Sequence, residues 1–132
     1  MTVVRATSVG PEGHLPRDRL SDEERAGEHF RLYYDRDLQL ARELRPALRL
    51  LCERYDFDLV VLDGNEYTAA AELAVVRQVC RPRYLALHDS ENPYKRGVAA
   101  ELEAGAPRWA RLSAARDKTA WVIYEDTSLP AR

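Results

Sequence analysis

Two groups of polar residues stand where apolar runs stop. Asp63, Asn65 and Glu66 follow Asp58-Leu59-Val60-Val61-Leu62, and His88-Asp89 follows Arg83-Tyr84-Leu85-Ala86-Leu87. In open α/β sheets, sites form in the loops beyond the carboxyl ends of strands. Carboxylates converging there supply hard oxygen ligands of the kind Mg²⁺ prefers. Asp63, Asp89 and Glu66 are the candidate metal ligands. His88 is the candidate general base, since an imidazole with an ordinary pKa of about 6.5 exchanges protons near neutrality. Each residue also has a structural explanation. Asp63 before Gly64 suits a turn, Asp89 suits a cap, Glu66 suits a solvated surface, and a histidine at a strand end is often a satisfied structural group. Their coincidence at two strand ends is what points to chemistry.

The spacing requires the intervening chain to make one strand–helix–strand step, which sets the two loops side by side. Asp58–Leu62 reads as a strand buried on both faces of a parallel sheet, stopped by Asp63-Gly64-Asn65. Thr68 is placed to cap a helix running to Val79, with Ala69, Leu73, Val76 and Cys80 on one face and Pro82 beyond its end. Arg83–Leu87 is the next strand. Asn92 caps a helix that Pro93 begins, Tyr94, Val98 and Leu102 share its stripe, and Gly105 follows its end. Trp109–Ala115 and Ala120–Glu125 flank Arg116-Asp117-Lys118-Thr119 in a hairpin pattern. Two β–α–β steps predict a parallel sheet with an antiparallel edge.

The first part of the chain carries weaker signals. Residues 1–35 read as a weakly structured lead-in, and 36–132 as one α/β domain. Val3–Val9 is a candidate strand, and Gly10, Pro11, Gly13 and Pro16 interrupt regular structure. His29–Tyr34 alternates, with Phe30, Leu32 and Tyr34 on one side, as in a half-buried strand. Arg36–Glu43 is a candidate helix. Leu44, Ala47, Leu48, Leu51 and Tyr55 then trace one helical face, with Pro46 in the first turn.

The 132 residues are 45% hydrophobic and 32% charged, a globular composition, and the net charge of −2 provides no field for nucleic acid or anionic lipid. Lys95 and Lys118 are the only lysines, so the basic side chains are almost all arginine. No apolar stretch approaches the roughly 18 residues of a membrane span. A signal-peptide pattern is not evident at the N-terminus. Cys52 and Cys80 lack metal-ligand spacing and read as reduced, packed thiols. The expected setting is cytoplasmic, without membrane or nucleic-acid partners.

The run from Asp58 to Thr68, taken with Arg83-Tyr84-Leu85-Ala86-Leu87-His88-Asp89, resembles the late motifs of class I S-adenosylmethionine-dependent methyltransferases. The nearest likeness is to members with an Asp-Gly-(Asn/Asp)-His-x-Tyr loop and a His-Asp strand end. Ala120-Trp121-Val122-Ile123-Tyr124-Glu125 is similar to the terminal antiparallel strand of that fold. The resemblance covers residues 58–126. It implies a partial Rossmann-like sheet, the second half of such an enzyme, closed by a C-terminal antiparallel hairpin. It further implies O-methylation of a small hydroxylated metabolite, with Asp63 and Asp89 holding Mg²⁺ and His88 taking the substrate proton. Glu66 stands where the family often has histidine. The first half of the family's fold binds S-adenosylmethionine through a Gly-rich turn, and Gly10-Pro11-Glu12-Gly13 does not match that turn. The expected protein is therefore truncated or divergent.

Two other readings compete. The run ending at Asp63 also resembles the phosphoacceptor strand of a receiver domain, and Glu103-Ala104-Gly105-Ala106 an element of the same fold. That family's acidic pair, hydroxyl-bearing strand end and late lysine have no counterparts here: His88-Asp89 replaces the hydroxyl, and Lys118 falls in the hairpin turn. Alternatively, a half-sheet with an uncovered edge would serve as an interaction module, pairing with itself or another protein.

Overall fold

The computed structural model describes residues 6–105, 108–115 and 120–130. Their order is helix-rich at first and then alternating. Helices α1 (Asp22–Ala26), α2 (Arg36–Glu43) and α3 (Leu48–Arg54) precede strand β1 (Leu59–Leu62). Helix α4 (Ala69–Val75), strand β2 (Tyr84–Leu87), helix α5 (Pro93–Ala104), strand β3 (Trp109–Ala115) and strand β4 (Trp121–Asp126) follow. This is a mixed α/β fold. No helix among the described residues is long and apolar enough to cross a membrane.

The sheet order is β1-β2-β4-β3. β1 and β2 are parallel, with Leu59 opposite Tyr84 and Leu62 opposite Leu87. β4 lies antiparallel against both β2 and β3. The expected hairpin is thus present, but its second strand inserts beside β2 and leaves β3 on the outside. Only one pair is parallel, where two β–α–β steps predicted more. The predicted turn at Arg116–Thr119 lies outside the described residues.

Side-chain alternation assigns the two faces of the sheet. Val60 and Leu62, Leu85 and Leu87, and Val122 and Tyr124 are register neighbours on one face. They join Cys52 of α3, Leu73 of α4, and Val98 and Leu102 of α5 in one core cluster. Leu73, Leu85, Leu87 and Leu102 are fully buried, each contributing about 1.5–3 kcal/mol of transfer free energy. The other face is partly open: Leu59 is 51% and Val61 47% exposed. The expectation that β1 is buried on both faces is therefore wrong. The helices that follow β1 and β2 both join the one core.

The signals around α5 act as the sequence implies. Asn92 accepts a hydrogen bond from the Tyr94 amide at 3.0 Å, and Pro93 occupies the first turn. Helix α4 extends through a wide π turn, Val76–Cys80, until Arg81 adopts a left-handed conformation (φ 48°) ahead of Pro82. Thr68 does not cap α4 with its side chain. Its hydroxyl instead donates to the Asn65 carbonyl and the Glu72 carboxylate.

Two expectations for the first part fail for clear reasons. His29–Tyr34 is helical, not extended: Phe30 and Tyr34 are buried while Leu32 is 53% exposed, so the buried spacing is i, i+4. The helix predicted from Leu44 begins only at Leu48. Leu44 ends α2 in an extended conformation, and Pro46 disfavours helix for Arg45 before it. Pro46 bridges to Thr7, while the Ala47 and Leu48 amides donate to the Thr7 and Ser8 carbonyls at 2.9 and 3.2 Å. What remains of the proposed Val3–Val9 strand among the described residues is that single bridge. Residues 6–35 pack rather than trail. Leu20, Phe30, Tyr34 and Tyr67 form a second core, with Leu15, Leu38 and Tyr94 against it. A Ser21–Glu24 capping box starts α1, and Tyr94 Oη donates to Glu24 at 2.5 Å.

Candidate functional site

The register that pairs Leu62 with Leu87 places Asp63 beside His88 one step later. The ladder reaches that far, since the His88 amide donates to the Leu62 carbonyl at 3.1 Å. Continued alternation directs both side chains to the sheet's more open face. There His88 Nδ1 hydrogen-bonds Asp63 Oδ1. Simple alternation would send the next residue, Asp89, to the opposite face. Asp89 instead has φ 53°, a left-handed backbone that Asp tolerates better than most residues. The chain turns there, and Asp89 Oδ2 lies 3.5 Å from the same imidazole nitrogen.

Asp63, His88 and Asp89 offer ligand atoms within 4.8 Å of one another. The His88 side chain is 17% exposed, and the two carboxylates are half-exposed. This donor set fits a divalent cation: two anionic oxygens suit Mg²⁺, and an added imidazole suits Mn²⁺ or Zn²⁺. Holding a cation through Nδ1 requires that nitrogen to be without its proton. With the proton on Nδ1 and directed to Asp63, Nε2 is the acceptor, and the carboxylate orients the ring as a base. The tautomer thus decides whether His88 serves as a third ligand or as a base, and in either case the two carboxylates remain able to hold a cation.

One participant was not singled out from sequence. The Trp121 ring lies 4.3 Å from that of His88, centre to centre. Its place at the start of β4, one step beyond the Leu87–Val122 pair, would have been legible only with the strand order known. The indole covers one side of the imidazole and limits its rotation.

Glu66 does not join this group. It pairs with His29 Nε2 at 2.7 Å, and its side chain is only 14% exposed. Asn65 is structural: it donates to the Tyr33 carbonyl and to Asp37, and accepts from the Tyr67 amide. These bonds fasten the loop after β1 to the helical segment before it, which fixes where Asp63 stands. Tyr67 and Tyr94 belong to the second core, 5.4 Å apart between ring centres. Burial raises the pKa of Tyr67, and burial together with the bond to Glu24 raises that of Tyr94, so both stay protonated phenols at neutral pH.

A Gly-rich cradle for S-adenosylmethionine needs backbone turned tightly after a strand. Pro11–Gly13 forms a single 3₁₀ turn, Gly10 before it is extended, and no described glycine has a positive φ. These residues do not fit that role. Comparison with protein-family models, curated proteins and solved structures finds no match in any of the three.

Proposed function

We propose that Asp63, His88 and Asp89 form the substrate-side centre of a Rossmann-like, methyltransferase-like α/β domain that prepares a small hydroxylated metabolite for O-methylation. The observation that carries this reading is the convergence of the three side chains beyond two adjacent parallel strand ends. The inserted antiparallel β4 agrees with the terminal strand that the resemblance implies. In this reading Asp63 and Asp89 would hold Mg²⁺, which would act as a Lewis acid toward the substrate hydroxyl, and His88 accepts the hydroxyl proton. Bound Mg²⁺ would lower the cost of the oxyanion. Trp121 keeps the imidazole in place. S-Adenosylmethionine, the methyl donor this activity requires, must be held by residues other than Gly10–Gly13.

Deprotonation can be tested without the donor. 4-Nitrocatechol changes its visible spectrum on losing a proton, so it serves as the probe with the full chain and Mg²⁺. The expected result is a protein-dependent shift toward the deprotonated spectrum that His88→Gln abolishes. An unchanged spectrum, or an unaltered shift in the variant, contradicts the proposal.

A second reading, as an interaction module, is favoured by the outer strand β1. Its exposed residues Leu59 and Val61 lie on a strand that, among the described residues, forms an edge of the sheet. Size-exclusion chromatography across a concentration series distinguishes it, because a concentration-independent monomer counts against self-pairing through β1.

A further inference from the structure

A cavity of about 400 Å³ lies on the other side of the loop that carries Asp63. Its walls come from the Thr7–Val9 segment, His14, α2, β1 and the start of α4. The volume falls within the range of small-molecule sites, roughly 300–1,000 Å³. Leu40, Leu48 and Val60 supply apolar wall.

Its polar groups have one electrostatic character. Asp37 and Glu72 both line it, and no lysine or arginine does among the described residues. Glu72 is 4% exposed, an unusual setting for a carboxylate. Ser8 Oγ and Thr68 Oγ1 both donate to its Oε1, at 2.5 and 3.1 Å. A Cβ on Gly64 would come within 2.9 Å of that same oxygen, so the glycine allows the loop to close over the carboxylate. Asp37 accepts a bond from Asn65 at 2.6 Å.

Two further groups at the cavity wall have unmet hydrogen-bonding capacity. His14 is 8% exposed, and among the described residues neither ring nitrogen has a hydrogen-bond partner; Thr7 Oγ1 is buried and equally unpartnered among them. Such groups are destabilising unless something satisfies them. They are held there by the chain itself. The Gly13 turn packs so closely that a Cβ would meet Val9 at 2.7 Å, and the Leu15 amide donates to the Tyr67 carbonyl at 2.8 Å.

We propose that this cavity binds a small organic ammonium ion with a compact apolar body. The ammonium N–H groups are donors for the Asp37 and Glu72 carboxylates, and the apolar body lies against Leu40, Leu48 and Val60. The third N–H is left for His14 or Thr7, whichever acceptor it reaches. Anionic ligands meet two carboxylates and, from the described walls, no lysine or arginine, so they are disfavoured. This site is separate from the Asp63–His88–Asp89 centre and needs no methyl chemistry.

The test uses the full chain and cyclohexylammonium as probe, followed by protein NMR. Cyclohexanecarboxylate is the matched anion. Saturable shifts should appear at Thr7, Ser8, His14, Gly64 and Glu72 with the ammonium and be absent with the carboxylate. Glu72→Gln should weaken binding about tenfold, as expected when a charge-assisted hydrogen bond becomes neutral. Asp37→Asn, at a half-buried position, should weaken it in the same direction and guards against misfolding of the Glu72 variant. Equal binding of the anion, shifts elsewhere in the protein, or indifference to both substitutions overturns the proposal.

Discussion

Asp126 ends β4 with its side chain fully buried, and its removal should be among the more costly single changes in the sheet. Oδ2 accepts from Arg108 Nε at 3.0 Å and Nη2 at 2.9 Å, while Oδ1 accepts from the Ser128 amide at 3.0 Å and hydroxyl at 2.5 Å. Asp126→Ala removes all four acceptor contacts. Breaking a buried pair costs about 3–5 kcal/mol when the remaining charge stays buried. Arg108 is 39% exposed and can turn to water, so the lower end, about 3 kcal/mol, is expected. At about 3–5 °C per kcal/mol for a chain of this size, Tm should fall by about 10 °C. Burial alone would raise the Asp126 pKa, but the Ser128 and Arg108 bonds outweigh it and leave the folded value below normal. A depressed folded pKa contributes stability that is present above the unfolded value, about 3.9, and is lost as pH falls through the folded value. The gap between wild type and Asp126→Ala should therefore narrow below about pH 4. Circular dichroism melts at neutral and acidic pH read both effects. A loss under about 1 kcal/mol at pH 7, or a gap that widens in acid, would refute this account of the β3–β4 end.

Other consequences follow from burial elsewhere. Leu102→Ala, at a fully buried position in α5, should cost about 2–5 kcal/mol in urea unfolding, and a cost under about 1 kcal/mol would show that α5 is not integral to the core. Cys52 and Cys80 are buried and free, and burial together with the neighbouring Cys52 thiol pushes the Cys80 thiol up to about 12. Neither thiol should react with a disulfide reagent at neutral pH until the protein unfolds, so prompt labelling of the native state would contradict this packing. Tyr94→Phe removes the donor to Glu24 and should cost about 0.5–1.5 kcal/mol. Faster hydrogen exchange in α1 would report that loss, and unchanged exchange would count against the contact.

The two strand ends and the Asn92 cap were legible because each depends on local chemistry, whereas Thr68 turns its hydroxyl to Asn65 and Glu72 and does not cap α4. Asn92 and Pro93 fix the start of α5, and the apolar runs before Asp63 and His88 mark two parallel strands whose ends must adjoin. Long-range decisions were not legible. The alternation of Phe30, Leu32 and Tyr34 fits a strand as well as a helix until something buries Phe30 and Tyr34 together. Glu66 looked equivalent to Asp63, yet it faces His29, distant in sequence, and not His88. Asp89 joins the centre only because its backbone turns left-handed. Glu72 and His14 border one cavity through the packing of the N-terminal segment, which no local pattern encodes.

Asp63, His88 and Asp89 are proposed to act as one centre. Mg²⁺ titration of the full chain, followed by amide and imidazole NMR shifts, tests it most directly. Saturable shifts should centre on Asp63, His88 and Asp89, disappear in Asp63→Asn and Asp89→Asn, and persist in Glu66→Gln. Shifts centred on Glu66 and His29, or no response at millimolar Mg²⁺, would contradict the account.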